Sequence, residues 1–222
     1  MATTQPEGYL ALPPAGQGSP VIVLHAWWGL NDTIRAVCNR LAEAGFVAFA
    51  PDLYHGKVTD TIEGAESLSS ALDSERAKAD LTAAVAFLAE HESQISPAGG
   101  EDKNIAVIGF SLGASYALYL SNADPRRISS VVIFYGTRPG DYNRSRAMYL
   151  GHFAEEDEYE PQTEVDALED TLRQAGRLVT FYRYPATGHW FFEPDRLQAY
   201  DEPSATLAWE RTLAFLQDTL TI

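Results

Sequence analysis

Short apolar runs recur along the chain, and between them lie longer stretches whose apolar residues stand three and four positions apart. The runs are VIVLH (21–25), FVAFA (46–50), IAVIGF (105–110), VVIFY (131–135), AMYLGHF (147–153) and LVTFYRY (178–184). Most are apolar at every position, which predicts strands buried between two layers of helix. A shorter run at 9–12 predicts an opening strand at a sheet edge. Helical spacing covers about 32–44, 75–91, 112–122, 163–175 and 203–220. Strands alternating with helices in this way predict a mostly parallel, twisted sheet of about seven strands, joined by crossover helices. Gly45 and Gly176 stop two of the helices, and Pro97 to Gly100 predicts a turn before the central strand. The segment 139–146 is polar and turn-rich, and the acidic run Glu155, Glu156, Asp157, Glu158 follows a strand. Loops after the carboxyl ends of parallel strands are where such sheets hold ligands.

Composition narrows the picture. With 222 residues, 45% of them hydrophobic, the chain is long enough for one sizeable core, and residues 1–222 are expected to form a single domain. Its 31 acidic and 16 basic residues give a formal charge of −15, which repels phosphate backbones and anionic lipid. Nucleic acid and membrane surfaces are therefore not expected partners. No basic, apolar leader opens the chain and no stretch approaches a membrane span, so a cytoplasmic location is expected. The one cysteine, Cys38, lies on an apolar helix face with Ile34, Val37 and Leu41, where it reads as core packing. It forms no disulfide within the chain and no cysteine-based metal cluster.

The candidate chemistry begins at IAVIGFSLGAS, where Gly109, Ser111 and Gly113 fill the GxSxG pattern. The bare pattern arises by chance in roughly one chain of this length in a dozen, so the context decides. Here an apolar strand precedes it and a helix with Ala114, Ala117 and Leu118 follows, as a nucleophile elbow requires. The glycines clear room for a strained turn that pushes the hydroxyl into the open at a helix N-terminus. There the amide of Leu112 can donate to an oxyanion. A serine hydroxyl also needs an imidazole to take its proton and a carboxylate to fix the tautomer of that imidazole. The chain order of the α/β-hydrolase fold is Ser, acid, His, which leaves His152 and His189 of the five histidines. His189 lies in a glycine-containing loop, YPATGHWFF, after the last strand and is the expected base; His152 sits within a strand and reads as structural. His25 ends a strand near the site and reads as a pocket residue, while His55 and His91 read as loop and helix-surface positions. Asp157 stands where the orienting acid belongs, with Glu155, Glu156, Glu158 and Glu160 as neighbours that spacing alone does not exclude.

Over nearly its whole length the chain resembles the dienelactone hydrolase family. The matching stretches are WWGLND (27–32), FVAFAPDLYHGK (46–57), LDSERAKADLTAAVAFL (72–88), GFSLG, EEDEYEP (155–161), TGH (187–189) and WERTLAFL. The resemblance implies a compact α/β-hydrolase with no large lid domain, acting on small esters or lactones without a cofactor or metal. It puts the acid on Asp157, the base on His189 and the oxyanion amides on Leu112 and Trp27. Three departures stand out. Ser111 occupies the place of the cysteine nucleophile of members known for dienelactone cleavage, Ala26 that of their activating glutamate, and Glu193 that of an arginine that helps bind the substrate carboxylate. The first two changes agree with a directly activated serine, and the third disfavours an anionic lactone. Trp28, Tyr54, Trp190 and Phe191 are expected, with His25 and Glu193, to line an aromatic pocket for a short acyl group. A broader carboxylesterase or thioesterase without lactone preference is the alternative within enzymes, and a non-catalytic ligand-binding relative the alternative outside them. Monomer and dimer are both open.

Overall fold

In a computed structural model, residues 4–95 and 104–220 are described, 91–95 by their backbone alone. The turn expected at 97–100 and the side chain of His91 lie outside the described residues. The strands are β1 (Gly8–Ala11), β2 (Pro20–Leu24), β3 (Val47–Pro51), β4 (Ile105–Phe110), β5 (Ile128–Phe134), β6 (Met148–Ala154) and β7 (Val179–Tyr184). The helices are α1 (Asp32–Glu43), α2 (Ile62–Ser70), α3 (Ser74–Ile95), α4 (Leu112–Ala123), α5 (Gln162–Gln174) and α6 (Glu202–Leu220). One seven-stranded sheet runs in the order β1-β3-β2-β4-β5-β6-β7. Only β1 is antiparallel, pairing Gly8 to Ala11 with Pro51 to Ala48 at the edge.

Alternation along the central strands sorts the core into two layers. Ile22, Leu24, Val107, Val131 and Ile133 pack with Leu81, Val85, Ala117 and Leu168 of α3, α4 and α5. Val21, Val23, Ile108, Val132 and Phe134 pack with Ile34, Leu41, Ala208 and Leu216 of α1 and α6. Each large side chain so buried contributes roughly 1.5–3 kcal/mol. Cys38 is fully buried in the second layer, and burial pushes its thiol up to about 12. Among the described residues no lid domain interrupts this arrangement.

The sequence reading differs from the structure at α2 and β5. Helix α2 has a single buried side chain, Ala65, so no apolar period marks it; its start is set by Thr61, whose hydroxyl accepts from the Gly64 amide at 3.2 Å. Strand β5 begins at Ile128, before the apolar run, because Ile128 and Ser130 pair with Ile105 and Ala106 of β4 across a register shift that leaves Ser129 unpaired. Its run also ends one residue early, since Tyr135 turns to a φ of 37°.

Candidate active site

Ser111 is the single residue between β4 and α4, at φ 50° and ψ −110°. That strained backbone persists because its surroundings fix it: the Ser111 amide donates to the Phe134 carbonyl at 2.9 Å, and its own carbonyl accepts from Ala114 at 2.9 Å. A Cβ on Gly109 would collide with the Gly113 carbonyl, and one on Gly113 with the carbonyls of Leu24 and His25. The two glycines therefore let strand, helix and neighbouring strand meet closely enough to make the turn.

The loop after β6 brings Asp157 to the serine, and the loop after β7 brings His189. His189 Nε2 lies 3.0 Å from Ser111 Oγ, and His189 Nδ1 lies 2.7 and 2.9 Å from the two Asp157 oxygens. The carboxylate fixes the tautomer with the proton on Nδ1, which leaves Nε2 free to accept from the serine. Side-chain exposure of 5% for His189 and 2% for Asp157 keeps this line largely dry. Asp157 Oδ1 also accepts from the amides of Tyr159 and Glu160, each at 2.9 Å.

Of the neighbouring acids that spacing left open, Glu155 and Glu160 are engaged elsewhere. Glu155 accepts from the Ala186 amide at 3.1 Å, while Glu160 accepts from the Thr137 hydroxyl and amide at 2.7 and 2.9 Å. Burial raises the Glu160 carboxyl above its ordinary value, and the Thr137 bonds oppose that rise. Glu160 thus ties the loop bearing Asp157 to the loop after β5.

Leu112 opens α4, so its amide lacks an intrahelical acceptor. Trp27 follows β2 in a turn where the Gly29 amide donates to Ala26 at 3.2 Å and Gly29 adopts φ 89°. Asn31 then caps α1 by accepting from Ile34 at 3.1 Å. Trp27 stacks on Trp190 with centroids 5.9 Å apart and meets Trp28 edge-on at 5.4 Å. Trp28 and Tyr54 are themselves buried, and the Arg196 guanidinium lies 4.1 Å over the Trp28 ring.

Like Trp28 and Tyr54, three further residues expected to line the pocket are buried instead. His25 is fully buried: its Nδ1 donates to the Ala26 carbonyl at 2.7 Å and its Nε2 accepts from the Leu53 amide at 3.2 Å, so it fastens two loops together. Burial pushes that imidazole below its ordinary value. Phe191, also fully buried, packs on Tyr135 and Tyr184. Glu193 is 1% exposed and accepts from the Tyr135 hydroxyl at 2.7 Å, so it does not face solvent as a charge-repelling wall. Burial raises its carboxyl to about 8. His152 is buried between the Tyr184 hydroxyl at 2.8 Å and Thr212 Oγ1 at 3.0 Å, and burial lowers it to about 3.

Two site residues escaped the sequence reading. Tyr159, inside the acidic run, sets its ring 5.2 Å from His189 and 5.0 Å from Trp190. Tyr135 sets its ring 4.9 Å from His189 while holding Glu193. Only their adjacency to motif loops signalled them. Among the described residues no group of three or more His, Cys, Asp or Glu could hold a metal ion, and no helix is long and apolar enough to cross a membrane.

Comparison with known proteins follows the same outline. The chain is 34% identical to Protein usf of Aquifex pyrophilus, covering 96% of this chain and 94% of that one. It is 30% identical to an Aquifex aeolicus protein provisionally named a carboxymethylenebutenolidase, with 96% and 93% covered. Among solved structures, a provisionally named dienelactone hydrolase from Klebsiella pneumoniae superposes with a TM-score of 0.79 at 27% identity, with 94% of this chain and 91% of that one covered. The model of the dienelactone hydrolase family matches residues 7–220, and the chain belongs to that family of α/β-hydrolases.

Proposed function

We propose that this protein hydrolyses small esters or lactones with Ser111 as nucleophile, His189 as base and Asp157 as the acid that orients it, residues 1–222 acting as one catalytic domain. The observation that carries the reading is the unbroken line from Ser111 Oγ through His189 to Asp157, at 3.0 and 2.7 Å. Ser111 Oγ bonds to the carbonyl carbon as its proton passes to His189 Nε2, and the amides of Leu112 and Trp27 hold the oxyanion. The carbon–oxygen bond to the leaving alcohol then breaks, and His189 returns the proton to it. Water, deprotonated by the same imidazole, releases the acid and frees the serine.

The absence of an arginine at position 193 favours substrates without a carboxylate, hence a broad carboxylesterase over a strict dienelactone hydrolase. Rates on a matched lactone and open-chain ester separate those two. The enzyme assignment itself is tested with 4-nitrophenyl acetate: Ser111→Ala should lower kcat by about three powers of ten or more while leaving the melting temperature nearly unchanged. Undiminished turnover in that variant would refute the role of Ser111.

A further inference from the structure

Beside His189 the surface opens into a groove of about 530 Å³, walled by the loops after β6 and β7 and by the residues leading into α6. Its lining carries three aromatic rings, Tyr159, Trp190 and Tyr200, and three carboxylates, Glu156, Glu158 and Asp201; neither lysine nor arginine lines it. Tyr159 and Tyr200 are 41% and 36% exposed, so ring surface is open to a ligand. Among the described residues no salt bridge engages Glu156 or Glu158, although elsewhere Glu75, Asp124, Asp166 and Glu169 each hold a basic side chain. Asp201 is otherwise occupied, accepting from the Ser204 amide at 2.9 Å at the start of α6. The groove therefore combines uncompensated negative charge with exposed π faces, the two features that attract an organic cation.

The place of the groove gives the cation its position in the reaction. In acyl transfer the imidazole that took the serine proton hands it to the departing alkoxide, so the alcohol half of an ester leaves beside His189. His189 is part of the groove wall. We propose that the groove holds the alcohol half of the substrate and selects esters whose alcohol carries an ammonium group. This substrate class rests on the serine-hydrolase reading above. Bond-making is unaltered: the acyl carbon joins Ser111 Oγ, its bond to the alkoxide breaks, and the ammonium stays on the departing alcohol.

Acetylcholine and its uncharged isostere 3,3-dimethylbutyl acetate share an acyl group and a shape, so the ratio of their kcat/KM values isolates the charge. At low ionic strength the ratio should be about ten or more, and it should fall several-fold at about 0.5 M salt. The double variant Glu156→Gln/Glu158→Gln should lower the ratio at least about three-fold. A ratio of one or less, or one that the double variant leaves unmoved, overturns the inference. Binding of phenyltrimethylammonium, followed by quenching of tryptophan fluorescence, decides the matter apart from turnover: saturable binding weakened in the double variant supports the groove, and its absence overturns it. Failure to hydrolyse either ester would count against the hydrolase reading alone.

Discussion

Glu193 illustrates how far one residue can depart from what its position suggests. The family resemblance made it a pocket residue that disfavours an anionic lactone, yet it lies buried under the Tyr135 hydroxyl. A carboxyl raised to about 8 in the folded protein, from about 4.5 when exposed, is protonated over a pH range in which the unfolded chain is ionised. Its stabilising contribution is therefore complete below about pH 4.5 and disappears as pH rises through about 8. Glu193→Gln should melt close to the parent at pH 5 and higher than it by roughly 5 °C or more at pH 9. Parallel pH dependence in the two proteins would show that Glu193 does not titrate in this way. Arginine at position 193 would bury a cation and should lower stability instead of recruiting anionic lactones. The convergence of Ser111 and His189 was legible from the GxSxG context and chain order, and that of Asp157 only with the family resemblance; the burial of Glu193, Phe191 and His25 was not, because side-chain direction in a loop leaves no period in the sequence.

Elements bring these residues together through a few close approaches. The carbonyls of Leu24 and His25, at the end of β2, sit against Gly113 on α4, so the elbow and the loop carrying Trp27 form one unit. Gly113→Ala would drive a methyl group into those carbonyls and should cost about 1–3 kcal/mol by denaturant unfolding, with turnover falling further than stability accounts for. A variant of full stability and activity would show that the elbow tolerates displacement. The loop of Asp157 depends in the same way on Glu160. Glu160→Ala leaves the Thr137 amide and hydroxyl unpaired and should lower kcat with little change in KM. Strands and long helices were readable because their apolar periods are dictated by two-sided burial. Helix α2, with only Ala65 buried, offered no such signal.

For the whole molecule, the sheet was legible in outline because each core strand must be apolar on both faces, and the two layers on α1/α6 and α3/α4/α5 follow from that alternation. The groove beside His189 was not, since it is made where loops distant in sequence converge. A formal charge of −15 adds a long-range term. Esters bearing a carboxylate should be turned over faster as ionic strength rises from about 0.01 to 0.2 M, while a neutral ester is unaffected. The central claim is that Ser111 is a nucleophile activated by His189. Intact-mass and peptide mass spectrometry after exposure to a fluorophosphonate tests it most directly. One adduct per chain, on Ser111, absent in Ser111→Ala and formed far more slowly in His189→Ala, is the result predicted here; an unlabelled chain, or labelling that ignores His189, would contradict it.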